Sequence, residues 1–230
     1  MTEHSQNGGW TAYSPFPSAP VGGRLKRAAD LAVAVPLAFL LAPVMLGIAI
    51  WIRRDSKGPA LYRQRRVGLC GKPFMLMKFR TMVVGAETMG AGLAVTADDD
   101  RITRAGALLR RLSLDELPQL WNVLRGDMSL VGPRPTVPAQ VERYTAHQRR
   151  RLAARPGVTG LAQVRGRNAI PWSARIEIDI EYVERWSPLL DLRVLARTAL
   201  VVLGREGTYI GAGGGFDLPE TNGSAEEARG

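Results

Sequence analysis

Cysteine is almost missing from this 230-residue chain: Cys70 stands alone, so no internal disulfide can staple the fold, and a single thiol fits a reducing compartment. Histidine is nearly as scarce. His4 and His147 lie far apart, which excludes zinc sites built on paired histidines; a metal would be held by carboxylate and phosphate oxygens, a donor set that suits magnesium. Acid is in deficit, with 21 Asp and Glu against 31 Lys and Arg and a formal charge of +10. Such a chain is drawn to polyanions, and charge alone does not choose among nucleic acid, anionic lipid and phosphorylated substrates. No nucleic-acid module or basic-aromatic face is recognisable, so nucleic acid is not expected as a partner. Residues 1–22 and 211–230 lack apolar periodicity and read as disordered tails.

What is abundant is apolar, 46% of the chain, enough for one domain with a core. Leu31 to Ile52 carries no charged residue, and at ~1.5 Å per residue a helix there reaches across a ~30 Å hydrocarbon layer. It starts too late, and lacks the small-residue cleavage site, for a secretory signal. Both flanks are basic: Arg24, Lys26 and Arg27 before it, Arg53, Arg54 and Lys57 after it. Positive charge favours the cytoplasmic face at both ends, which a simple span cannot satisfy. Pro36 and Pro43 each remove a backbone hydrogen bond and favour a kink. The segment either spans once, kinked, or bends near Pro43 and returns to the same leaflet.

From Ala60 to Met82 the pattern predicts a β-hairpin turning near Gly71, carrying Arg63, Arg65, Arg66, Lys72, Lys78 and Arg80. These cations either face lipid headgroups or a diphosphate, or are simply solvated. Beyond a small-residue loop, Leu117, Leu120, Trp121 and Leu124 fall at helical spacing and predict a core-facing stripe. Tyr144 to Arg155 reads as a basic helix. Trp172 to Trp186 fits a helix or a strand equally. Leu189 to Leu203 is an apolar helix, for the core or the membrane interface.

The richest segment is "RRLSLDELPQLWNVLRGDMSLVGPRP", Arg110 to Pro135. Ser113 with Glu116 fits a capping box, but that leaves Pro118 inside the helix. Asp115 as the cap places Pro118 where its missing N–H is harmless, and is the preferred start. Asp115 and Glu116 then either only cap a helix or do chemistry, the ionised Asp115 as nucleophile on phosphorus and Glu116 holding magnesium. Arg134, stiffened between Pro133 and Pro135, suits phosphate recognition. A second cluster, "RPGVTGLAQVRGRN", sets Arg155, Gln163, Arg165, Arg167 and Asn168 among Gly157, Gly160 and Gly166, which let backbone approach a ligand or merely turn. The run Asp98 to Asp100 reads as a solvated loop.

These segments resemble the bacterial sugar transferase family, the monotopic phosphoglycosyl transferases that act on polyprenyl phosphate. The resemblance runs in order from "KRAADL" through "LAPVML", "KFRTM", the long dyad segment and "RPGVTGLAQVRGRN" to "LLDLRVLARTALVVL". It implies transfer of sugar 1-phosphate from a UDP-sugar to undecaprenyl phosphate, with Asp115 forming a covalent phosphosugar and Glu116 assisting Mg2+. It implies substrate contacts at Lys78, Arg80, Arg110, Pro133, Arg134, Pro135, Arg155, Gln163, Arg167, Asn168 and Asp179. It also implies that Pro43 breaks a re-entrant helix in the cytoplasmic leaflet of the bacterial inner membrane. Leu161 and Arg165 depart from a common tryptophan and asparagine. The expected fold is α+β and mostly helical: a re-entrant helix-break-helix over 23–56, then a catalytic domain over 57–210 with a small hairpin and interfacial amphipathic helices. Anionic headgroups are expected partners, and a homodimer stays open.

Overall fold

The computed structural model describes residues 20–89, 99–166 and 170–203, so the expected tails, but for residues 20–22, lie outside the described residues. The apolar run forms one helix, α1 (Gly23–Asp55), whose last turn carries Arg53 and Arg54, charges that suit its negative end. Helical backbone is continuous through Pro36 and Pro43, so the expected break at Pro43 is not an interruption of the helix.

Both ends of α1 are tied to the rest of the fold. At the start, Lys26 bonds Asp191 at 2.6 Å, Arg27 donates to the Leu124 carbonyl at 2.8 Å, and the buried Asp30 carboxylate accepts from Ser129 Oγ at 2.9 Å and the Leu130 amide at 3.0 Å. At the finish, Ile48 and Ile52 pack with Phe79 and Leu109, and Asp55 accepts from the Ala105 amide at 3.0 Å. Between these anchors the outward face is apolar, with Phe39 85% and Leu40 70% exposed.

The expected hairpin is present: β1 (Leu61–Val67) pairs antiparallel with β2 (Pro73–Phe79), from Leu61 opposite Phe79 to Val67 opposite Pro73. Its turn places Cys70 (φ 52) and Gly71 (φ 79) in the left-handed region. Helix α2 (Arg104–Arg111) begins at a Thr103 side-chain cap and leads through a 3-10 turn, Leu114–Glu116, into α3 (Gln119–Arg125). Then come β3 (Ser129–Val131), α4 (Pro138–Glu142), α5 (Ala146–Arg149), β4 (Gly157–Thr159), α6 (Leu161–Arg165), α7 (Trp172–Glu184) and α8 (Pro188–Leu203). Strands β3 and β4 pair in parallel.

Two local expectations are corrected and one open alternative is settled. Helix α3 starts at Gln119, after Pro118, and neither Ser113 nor Asp115 caps a helix with its side chain. Of the expected stripe, Leu120 is buried and Leu117 and Leu124 pack against the core, but Trp121 is 53% exposed while Asn122 and Val123 are buried. The ambiguous segment is helical, because Ile176, Asp179 and Ile180 are buried together at helical spacing. The core gathers Ala34 of α1, Leu76 of β2, Val123 of α3, Val131 of β3 and Val194 of α8.

Candidate active site

The 3-10 turn between α2 and α3 carries Asp115 and Glu116, and Ser113 enters it at φ 56, in the left-handed region. This corner turns both carboxylates into a cavity of about 410 Å³, lined also by Lys78 of β2, Arg110 of α2 and Arg134 of the loop after β3. Glu116 Oε1 accepts from Lys78 Nζ at 2.8 Å and from Arg134 Nη2 at 3.0 Å. Burial opposes its ionisation, but Lys78 and Arg134 outweigh burial and hold Glu116 far below the usual carboxylate range. Asp115 is different. Among the described residues no donor bonds its carboxylate, and burial pushes its pKa up, aided by the Glu116 charge and opposed by Lys78 and the arginines. Two adjacent carboxylates thus have opposite shifts, a pattern that is frequent at functional sites.

The glycines of the second cluster serve packing between strands. An added Cβ at Gly157 would stand 2.1 Å from the Gly132 nitrogen, and one at Gly160 would stand 2.1 Å from the Gly132 oxygen. Bonds from the Gly132 amide to Thr159 O and from the Gly157 amide to Pro133 O, each 2.9 Å, lock the "GPRP" loop to β4. Gly157 and Gly160 therefore admit neighbouring backbone, not a ligand. Pro133 and Pro135 shape this loop and offer carbonyls, that of Pro135 to Arg66 at 3.2 Å. Burial, with Arg134 nearby, lowers the Arg66 pKa to about 10.

Arg151 supports the same loop from beneath. It and Asp179 are each only 2% exposed at the side chain. The Arg151 guanidinium bonds Asp179 Oδ2 at 2.5 Å, the Arg134 carbonyl at 2.9 Å, Tyr144 OH at 2.8 Å and Thr136 Oγ1 at 3.3 Å. A buried cation needs such pairing, since an unpaired charge there costs several kcal/mol, about 3–5 when one partner is removed. No spacing signal sets Arg151 apart from Arg149 and Arg150, which is why the sequence did not single it out.

Of the residues expected to contact substrate, Lys78, Arg110, Arg134, Gln163 and Asp179 line the cavity with the dyad. Arg80 and Arg155 do not. Arg80 closes the end of α1 through the Ser56 carbonyl at 2.8 Å, and Arg155 donates to the Gly126 carbonyl at 3.1 Å beyond α3. Arg167 and Asn168 lie outside the described residues. Arg165 pairs with Glu181. Inside the cavity lining, Arg110 Nη1, Asp179 Oδ1 and both amide atoms of Gln163 are buried with no hydrogen-bond partner among the described residues. Each orphan of this kind costs about 1–3 kcal/mol, a cost that a polar ligand offsets. Leu37 of α1 and Leu195 of α8 supply apolar wall.

No cluster of three or more His, Cys, Asp or Glu is present among the described residues. Within the cavity Glu116 offers a metal its second carboxylate oxygen, both of its hydrogen bonds being on Oε1, and Asp115 stands beside it. That fits magnesium, which commonly takes one or two carboxylates and completes its shell with waters and substrate phosphates.

Residues 21–205 match the family model described as bacterial sugar transferase. The uncharacterized sugar transferase EpsL of Bacillus subtilis (strain 168) is 46% identical over 183 residues, covering 80% of this chain and 89% of that protein. The UDP-glucose:undecaprenyl-phosphate glucose-1-phosphate transferase of Caulobacter vibrioides is 45% identical over 203 residues, covering 85% of this chain and 75% of that protein. The undecaprenyl-phosphate galactose phosphotransferase of Salmonella typhimurium (strain LT2) is 41% identical over 199 residues; the match covers 80% of this chain and 42% of the longer protein. The chain therefore belongs to the bacterial sugar transferase family.

Proposed function

We propose that the chain transfers a sugar 1-phosphate from a UDP-sugar to a polyprenyl phosphate, releasing UMP, through a covalent phosphosugar on Asp115. The observation that carries this reading is the Asp115 carboxylate, free of capping duty, beside a Glu116 already clamped by two cations. The names of the Caulobacter and Salmonella relatives supply the donor and acceptor classes.

In the first step an Asp115 oxygen attacks the sugar-side phosphorus and the bond from that phosphorus to UMP breaks. In the second, an oxygen of the lipid phosphate attacks the same phosphorus, the aspartyl bond breaks and the carboxylate is restored. Phosphoryl transfer asks mainly for positioning and charge neutralisation. Lys78, Arg110 and Arg134 meet that demand, and the orphaned atoms of Gln163 and Asp179 take polar groups of the donor. Glu116 would hold magnesium, which when bound would supply further neutralisation of the diphosphate.

Membrane attachment follows from α1, a helix long and apolar enough to cross a bilayer. Because its two ends grip the same folded unit, they belong on one side of the membrane, and its exposed apolar middle enters a single leaflet. Leu189, Leu192 and Leu200 of α8 are also exposed and rest at the interface. In this arrangement the cavity wall formed by Leu37 and Leu195 opens toward the lipid acceptor. The basic flanks favour the cytoplasmic face as that side.

The test is UMP release by nanodisc-embedded protein given undecaprenyl phosphate, Mg2+ and a panel of UDP-sugars. Release with one or two sugars, lost in Asp115→Asn, supports the reading. Silence from well-folded wild type would leave a catalytically inert membrane scaffold, and salt-sensitive DNA retention surviving Asp115→Asn would favour a tethered nucleic-acid binder. Topology is checked with Arg24→Cys and Lys57→Cys, each in a Cys70→Ser background. Labelling of both from the cytoplasmic side is expected, and labelling from opposite sides overturns the single-leaflet arrangement.

A further inference from the structure

The hairpin that carries Lys78 has only two strands, so the outer edge of β2 would leave backbone N–H and C=O groups unpaired. Asn122 of α3 fills that edge. It is 1% exposed, its Oδ1 accepts from the Met77 amide at 3.0 Å, and its Nδ2 donates to the Met75 carbonyl at 2.7 Å. One side-chain amide thus satisfies the donor and the acceptor that a third strand would have met. Lys78 is the next residue after Met77, and α3 begins directly beyond Leu117 and Pro118, which follow Glu116. The strand bearing the lysine and the helix leaving the dyad turn are therefore joined twice, through Lys78 to Glu116 at 2.8 Å and through Asn122.

We infer that Asn122 is a positioning residue for phosphoryl transfer: its amide holds β2 against α3 so that Lys78 reaches the dyad from a fixed backbone. The inference rests on the proposed role of the dyad. A lysine ammonium sits on a flexible four-carbon stem, so its placement depends on the strand beneath it. Displacement of such a group by about 1 Å can cost on the order of a hundredfold in rate. Asn122 does not itself line the cavity and makes no hydrogen bond to the dyad; its amide acts on the strand, with one longer bond besides, to Asp127 Oδ2 at 3.4 Å.

A double-mutant cycle with full-length protein in nanodiscs separates positioning from general structural support. Asn122→Ala is expected to lower kcat for UMP release by about tenfold to a hundredfold, with KM for the UDP-sugar changed by less than about threefold. In a Lys78→Met background, read with radiolabelled donor over hours, the same change is expected to cost less than about twofold, because the group it positions is gone. Combined with Gln163→Leu, on α6, the losses should multiply. Losses that also multiply with Lys78→Met would overturn the inference. If Asn122→Ala does not yield folded protein, Asn122→Ser enters the same cycle; failure of both to fold would make Asn122 a folding residue and likewise overturn it. An inactive wild type sinks the parent reading, whereas an active wild type with uncoupled losses sinks this inference alone.

Discussion

Lys78 and Arg134 both donate to the same oxygen of Glu116, at 2.8 and 3.0 Å, although one sits on the hairpin and the other on the loop after β3. The glutamate is thereby neutralised in place, and its neighbour Asp115 is left as the carboxylate with no bonded donor. Chemistry follows from this division. A clamped carboxylate is a poor nucleophile, whereas the unclamped one keeps its lone pairs for attack while Lys78, Arg110 and Arg134 around it attract an anionic substrate.

Asp115→Asn should abolish UMP release by on the order of a thousandfold or more, as loss of a covalent nucleophile does. The fold should survive, since the side chain caps no helix. Radiolabelled sugar phosphate should remain with acid-quenched wild type and not with the variant. Equal labelling of both would move the covalent step elsewhere.

Lys78→Met should shift the acid limb of the kcat/KM profile to higher pH. Burial raises the Asp115 pKa, Lys78 is the largest opposing influence, and removing it lets the pKa rise further. The reactive form is the ionised one, so activity disappears as pH falls through that pKa and survives above it. An acid limb that stayed in place or moved down would contradict this assignment.

Arg151→Leu should destabilise the protein by about 3–5 kcal/mol, since Asp179 is left buried and unpaired. Burial raises the Asp179 pKa and Arg151 opposes that rise, so the variant's Asp179 titrates higher still. A raised carboxylate favours the fold when protonated. The deficit in Tm relative to wild type should therefore be widest at neutral and alkaline pH and narrow on acidification. A pH-independent deficit would show that lost packing, not charge, dominates.

Asp30→Ala should cost about 2 kcal/mol, roughly 4–8 °C in Tm, by orphaning the Ser129 hydroxyl and the Leu130 amide. Activity at low temperature should fall as well, because β3 leads directly into the Arg134 loop. Unchanged stability in nanodiscs would mean that the tie between α1 and β3 contributes little.

Chain order and residue type alone carried the apolar segment, the hairpin about Gly71, the dyad and the arginine between two prolines. These are local signals, set by hydropathy, turn chemistry and the few residues able to bind a diphosphate. Tertiary structure decided the rest. Helix α3 begins three residues later than a cap at Asp115 predicts, since Pro118 and the left-handed Ser113 hold the dyad in a 3-10 corner. The glycines near Arg155 serve the approach of β4 to Gly132, a contact between segments remote in sequence. The resemblance puts Arg80 and Arg155 at the substrate and leaves Arg151 unmarked, yet Arg80 closes α1, Arg155 binds beyond α3 and Arg151 supports the Arg134 loop. A guanidinium's role depends on which carbonyl or carboxylate packing brings within reach. Composition reports the charge, and only the folded backbone decides where each cation is held.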